Sequence, residues 1–248
     1  MLPSAGAEPH FPMRVGEFFK DSDRFLNRGD ILLSRSPTIA SLLIRLFSGS
    51  FFSHAALVFL LPQEREGFTK TFVIQSQFSG VGIADLETYV QGRTPIEEVG
   101  VLRLQGERFN QPFFKRANGF LLNEVNKPYD FHRLFRIGLS VLFGIHQVIS
   151  RVGRRPNVYR RWMPRQFICS GFIQYGLFAA AEIDNMPIAR VILKNGLADP
   201  SKDELLGITP EDVATSSKLT WKYVIRRGWV YEISDYAGAR RIISGGRS

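Results

Sequence analysis

One cysteine, Cys169, is all the thiol chemistry that the chain's 248 residues offer. With no partner it forms no intramolecular disulfide, which suits a reducing compartment and leaves it as a free thiol, a ligand or a nucleophile. Histidine is also sparse, with four in the chain. They are scattered, and the ligand spacing of a zinc site is missing, so no metal is implied. Long apolar runs are lacking too. The longest, Leu134 to Ile149, is interrupted by Arg136 and His146 and is shorter than the about 20 residues that span a bilayer. The N-terminal stretch has no basic segment followed by an unbroken apolar core, so no cleaved export signal is expected, and a cytoplasmic location is. Acidic residues are outnumbered, 23 against 32 basic, for a net charge of +9 that favours anionic partners. The excess concentrates in Ser150 to Arg165, where Arg151, Arg154, Arg155, Arg160, Arg161 and Arg165 occur without an acid.

What is present reads as one α+β domain over residues 29–248, after a polar lead at 1–28 and with a helical and basic insertion at about 131–165. "RGDILLSRS" is a strand opened by Gly29, and "PTIASLLIRLFSGS" is a helix marked by Ile39, Leu42, Leu43 and Leu46 and closed by Gly49. "SHAALVFLLP", apolar on both faces, suits a central strand, and "KTFVIQSQF" and "VGVLRLQ" suit its neighbours in a sheet that is expected to be antiparallel. "FFKRANGFLLNEVNKPYDF" is a helix ending before Pro128. A further helix runs roughly from Phe167 to Ala181, and "ITPEDVATSSKL" opens another with Thr209 as its cap. "TWKYVIRRGWVYEIS" supplies one or two strands more.

Cys169 falls in the first turn of its helix. There the positive end of the macrodipole and unpaired backbone N–H groups stabilise a thiolate, which predicts a pKa lowered toward neutrality. Taken alone, a single cysteine more often reads as a small buried hydrophobe. A nucleophilic thiol needs a base, and the base needs a polar group to orient it. Of His10, His54, His132 and His146, only His54 begins a strongly apolar strand, where its position is rigid. Gln75, in the neighbouring strand, is the candidate third member, since a buried amide oxygen can accept from an imidazole; pairing with backbone in the sheet is its other reading. The N–H groups of Cys169 and Ser170 at the helix start are candidate oxyanion donors.

"GDILLS", "FSHAALVF", "FVIQSQFSGVGIADLETYV", "KPYDF", "FICSGF" and "ITPEDVATSS", in that order, resemble the successive blocks of the permuted papain-like amidases of the YiiX/YaeF type, within the NlpC-like cysteine peptidase superfamily. The resemblance implies a circularly permuted papain-like fold, a sheet or partial barrel packed against helices, in which histidine, polar residue and cysteine occur in the order His54, Gln75, Cys169. It implies a thiol-dependent hydrolase of amide bonds in cell-wall peptides or acylated amino acids, with no cofactor. Two positions depart from the family: Gln75 stands where glutamate is commoner, and Gly171 follows Ser170 where the family commonly has an acid. A neutral amide supports an imidazolium less than a carboxylate does. Gly171 suits close approach of either a substrate or a backbone.

Two other functions remain open on this scaffold. One is a lipid acyltransferase or lipase like lecithin:retinol acyltransferase, working at a membrane surface. The other is a catalytically impaired binding protein, suggested by Gln75. The expected partner is a small peptide, acyl-amide or lipid substrate; the insertion reads either as a core helix followed by a solvated basic loop or as a contact to an anionic membrane surface through Arg154, Arg155, Arg160, Arg161 and Trp162. Nucleic acid is not expected, because nothing else in the chain suggests base recognition.

Overall fold

The computed structural model describes residues 10–92, 96–128, 168–197 and 199–245. The insertion at about 131–165, with its apolar tract, its arginines and Trp162, lies outside the described residues.

Among the described residues, eight strands form one antiparallel sheet in the order β1-β8-β7-β6-β2-β3-β4-β5. They are β1 (Met13–Arg14), β2 (Ile31–Arg35), β3 (His54–Leu60), β4 (Phe72–Gln77), β5 (Gly80–Asp85), β6 (Glu98–Leu104), β7 (Leu219–Arg226) and β8 (Trp229–Glu232). The middle strands are apolar on both faces because both faces are covered. Ile31, Leu33, Ala55, Leu57 and Ile74 join one core, while Leu32, Ala56, Val58 and Val73 join a second on the opposite side. Alternation along each strand therefore sorts neighbouring residues into different cores.

The first core is closed by α5 (Gln111–Leu122), α6 (Cys169–Ile183), α7 (Lys202–Leu206), α8 (Pro210–Ala214) and α9 (Tyr236–Ser244). The second is closed by α1 (Val15–Lys20), α2 (Ser22–Phe25) and α4 (Leu86–Gln91), which supply Phe18, Phe25, Leu86, Tyr89 and Val90. The stretch read from sequence as a polar lead thus contributes an edge strand and two short helices, with Phe18 fully buried and stacked on Phe25.

α3 (Ile39–Ser48) links β2 to β3. Thr38 caps it, with its hydroxyl accepting from the Ser41 N–H, and Gly49 ends it in the left-handed region at φ 62°. α6 is buried all round from Cys169 to Ala181, not on one side only. Its glycines explain how it fits. A Cβ on Gly171 would stand 2.2 Å from the Leu206 carbonyl oxygen, so this glycine admits a neighbouring backbone, which decides the alternative left open by the sequence.

Candidate active site

His54 opens β3, and its partner across β2 is Ser34; Ala56 pairs with Gln75 on β4. Because side chains alternate, His54, Gln75 and Ser34 all lie on the face of the second core, beside Tyr89 of α4. The His54 Nε2 and Gln75 Oε1 are 2.7 Å apart. A carbonyl oxygen only accepts, so Nε2 carries the proton and Nδ1 is left as the basic nitrogen. Burial holds the His54 pKa below its ordinary value, and the Gln75 hydrogen bond opposes this only in part. The resting ring is neutral at physiological pH.

The approach to His54 is firmly pinned. The Ser41 hydroxyl donates to Ser53 Oγ at 2.7 Å, and both the Ser53 N–H and its hydroxyl donate to the Ser34 carbonyl. One carboxylate, Glu211 of α8, accepts from the Phe51 N–H at 3.2 Å and from the Tyr236 hydroxyl at 3.1 Å. The "ITPEDV" block therefore holds the turn ahead of the histidine. Its helix begins as expected, with Thr209 and Asp212 forming a reciprocal cap and Pro210 in the first turn.

Cys169 arrives from the other side of the sheet as the first residue of α6, after Ile168 at the cap position. The ladder between β3 and β4 ends at Ala56 and Gln75, leaving the Ala55 N–H outside it. That N–H lies against the Cys169 sulfur, together with the N–H groups of Ser170 and Cys169 itself. His54 and the Cys169 thiol thus approach the start of β3 from opposite faces of the sheet. No hydrogen bond joins the thiol to the His54 ring among the described residues. In enzymes without substrate such bonds are often long and tighten only when the reacting complex forms.

The thiol corrects one expectation. Burial pushes its pKa up, and this outweighs the pull of the surrounding N–H groups and of the Ser170 hydroxyl. Cys169 is 3% exposed, so the helix-terminus effect is present but loses to desolvation. The Ser170 hydroxyl also has only one proton, and the Ile208 carbonyl takes it at 2.5 Å. The Cys169 thiol and the His54 imidazole both rest neutral.

Sequence reasoning missed three groups at this site. Ser34 was legible in principle, since pairing "ILLS" with "HAAL" sets it opposite His54. Tyr89 was not, because only the docking of α4 brings it here: its hydroxyl donates to Ser34 Oγ at 2.9 Å and its ring centre stands 6.3 Å from that of His54. Burial drives the phenol pKa up, and the Cys169 sulfur is close enough to add to the rise. The third is the Ala55 N–H. Arg154, Arg155, Arg160, Arg161 and Trp162 lie outside the described residues, so the structure brings none of them to the site.

A cavity of about 790 Å³ lies beside these groups. Its walls include Arg35 and Val90, the chain neighbours of Ser34 and Tyr89, and Glu98 and Arg226, while His54, Gln75 and Cys169 line none of it. Among the described residues no cluster of three or more His, Cys, Asp or Glu side chains could hold a metal ion. No described helix is long and apolar enough to cross a membrane.

Among solved structures, the metalloprotein yiiX from Escherichia coli O157:H7 is similar at 17% identity, over 79% of this chain and 96% of that chain, with a TM-score of 0.47. No curated protein matches. Residues 25–135 match the model of a family described as "Permuted papain-like amidase enzyme, YaeF/YiiX, C92 family". That span holds His54 and Gln75 and stops before Cys169. Across residues 25–135 this chain is therefore similar to the permuted papain-like amidases of the YaeF/YiiX type.

Proposed function

We propose that the protein is a thiol-dependent hydrolase of amide bonds, with Cys169 as nucleophile, His54 as base and Gln75 as the residue that orients the base. The observation that carries this reading is the placement of a Gln75-held imidazole at the start of β3, where the Ala55 N–H lies against the Cys169 sulfur. The Nδ1 of His54 takes the thiol proton as sulfur attacks the substrate carbonyl carbon. The carbonyl oxygen becomes an oxyanion facing the N–H groups of Cys169 and Ser170. Collapse breaks the C–N bond, and the leaving amine takes the proton back from His54. Water, deprotonated by the same nitrogen, then hydrolyses the thioester. The substrates that fit the family resemblance are amides of cell-wall peptides or of acylated amino acids.

Neutral resting partners make the proton transfer concerted with attack, because no thiolate stands ready. The same burial, with an uncharged Gln75, supports a second reading as a binding protein that has lost catalysis. An electrophilic amide probe separates the two. Wild type is expected to label on Cys169 and to lose labelling in both Cys169→Ala and His54→Ala. Equal labelling of wild type and His54→Ala would overturn the hydrolase. Cleavage of phospholipid acyl esters with amides left intact would move the reaction to lipid acyl transfer.

A further inference from the structure

α3 is amphipathic in the opposite sense from a helix that caps a core. Its Ser41 is buried and bonded inward to Ser53, whereas Ile39, Leu42, Leu43 and Leu46 are 78%, 48%, 45% and 63% exposed. At 3.6 residues per turn these four occupy one outward strip about 100° wide. Scattered exposed aliphatics are ordinary, but four on one face of a ten-residue helix form a patch that water does not favour.

We infer that this strip docks into the interface of an anionic lipid membrane. Charge supports that occupant. The only charged side chain on the helix is Arg45, in its last turn on the flank of the strip. From Ser34 to His54 the chain carries no acid; Arg35 is paired with Glu97 and Glu98, which leaves Arg45 as the cation beside the strip, within a protein of net charge +9. Size supports it as well. A specific dimer uses about 20–30 residues a side, far more than this strip, and demands matching shape. Hydrocarbon demands none, so a narrow apolar strip with a cation beside it suffices for interfacial binding.

The position of the helix gives the docking a purpose. α3 runs directly between Ser34 and His54, both at the candidate site, and its Ser41 is bonded to the residue before the histidine. A membrane held by α3 lies against the segment that leads into His54.

The test is co-sedimentation of the full chain with phosphatidylcholine vesicles with and without phosphatidylglycerol. Wild type is expected to bind the acidic vesicles, and Leu42→Ser with Leu46→Ser to bind them at least about tenfold less, since apolar burial sets interfacial affinity. Ile39→Gln with Leu43→Gln is a second pair, used if the first alters the thermal melt. Ile183→Ser, which removes an exposed aliphatic at the end of α6, is expected to bind like wild type. Cys169→Ala is also expected to bind fully, so the inference stands or falls separately from the proposed chemistry. Absence of wild-type binding at low salt would overturn it, as would equal binding by the α3 variants. Dependence on changes within Leu134–Ile149 alone, or conversion of a dimer to a monomer by the α3 changes without vesicle binding, would overturn it too.

Discussion

The imidazole of His54 gives its Nε2 to the side-chain carbonyl of Gln75 at 2.7 Å, so a neutral amide holds the candidate base in the tautomer that leaves Nδ1 free. Replacing that amide changes charge without changing shape. In Gln75→Glu a carboxylate beside the ring raises the His54 pKa and supports an imidazolium. Alkylation of Cys169 by iodoacetamide at neutral pH is expected to rise by about tenfold. Gln75→Ala releases the ring and lowers that rate on the order of tenfold or more. A pH series of labelling rates checks both directions.

Stability is expected to peak between two titrations. The folded His54 pKa lies below its unfolded value of about 6.5, so as pH falls below that value the unfolded chain takes up a proton that the folded one refuses. Stability is therefore present above about pH 6.5 and declines below it. The folded Cys169 pKa lies above the unfolded value of about 8.5, so stability declines as pH rises past that point. Urea midpoints across the range are expected to fall on both sides. His54→Ala flattens the acid side and Cys169→Ala the alkaline side.

Two glycine-to-alanine changes should have opposite signs. Gly171→Ala drives a Cβ into the Leu206 carbonyl, where only backbone can give way, and is expected to cost about 1–3 kcal/mol. Gly119, inside α5, has nothing within 4 Å of the added carbon. Gly119→Ala is expected to stabilise by about 0.5–1 kcal/mol, because the unfolded chain loses freedom it would otherwise keep. Chemical denaturation measures both.

Glu211 binds the turn ahead of His54 to α9 through one carboxylate. Glu211→Ala is expected to lose about 2 kcal/mol, the scale of hydrogen bonds to a charged group, and to slow probe labelling as that turn loosens. Tyr236→Phe, which removes one of the donors, is expected to lose about 1 kcal/mol and leave labelling nearly unchanged.

Local periodicity made β2, α3, β3 and β4 legible. Gly49 and Thr209 marked real helix ends, and the Arg227 and Gly228 turn, at φ 49° and 79°, made "YVIRRGWVYE" a hairpin. The burial of Phe18 and Phe25 was not legible, because short helices between polar residues show no period. β5 and α9 passed unread for similar reasons: glycines break the first, and paired arginines the second. The apolar recurrence in α3 identified the helix correctly but said nothing of which side it presents, since a moment has size without a reference direction. Residue type and position on expected elements pick out His54, Gln75 and Cys169, and their chain order matches the family resemblance. Their relative placement, the Tyr89 contact and the upward push on the thiol all depend on burial, which a linear pattern does not contain.

The order of elements sets when the site comes into being. His54 and Gln75 leave the ribosome well before Cys169, but β2 to β4 keep one apolar face bare until α6 covers it, and β7 completes its side of the sheet later still. A chain that stops short of α6 thus holds the candidate base without the candidate nucleophile. On the proposed chemistry the nucleophile therefore arrives with the same helix that covers that apolar face, so a product ending before it is expected to be inert toward its surroundings.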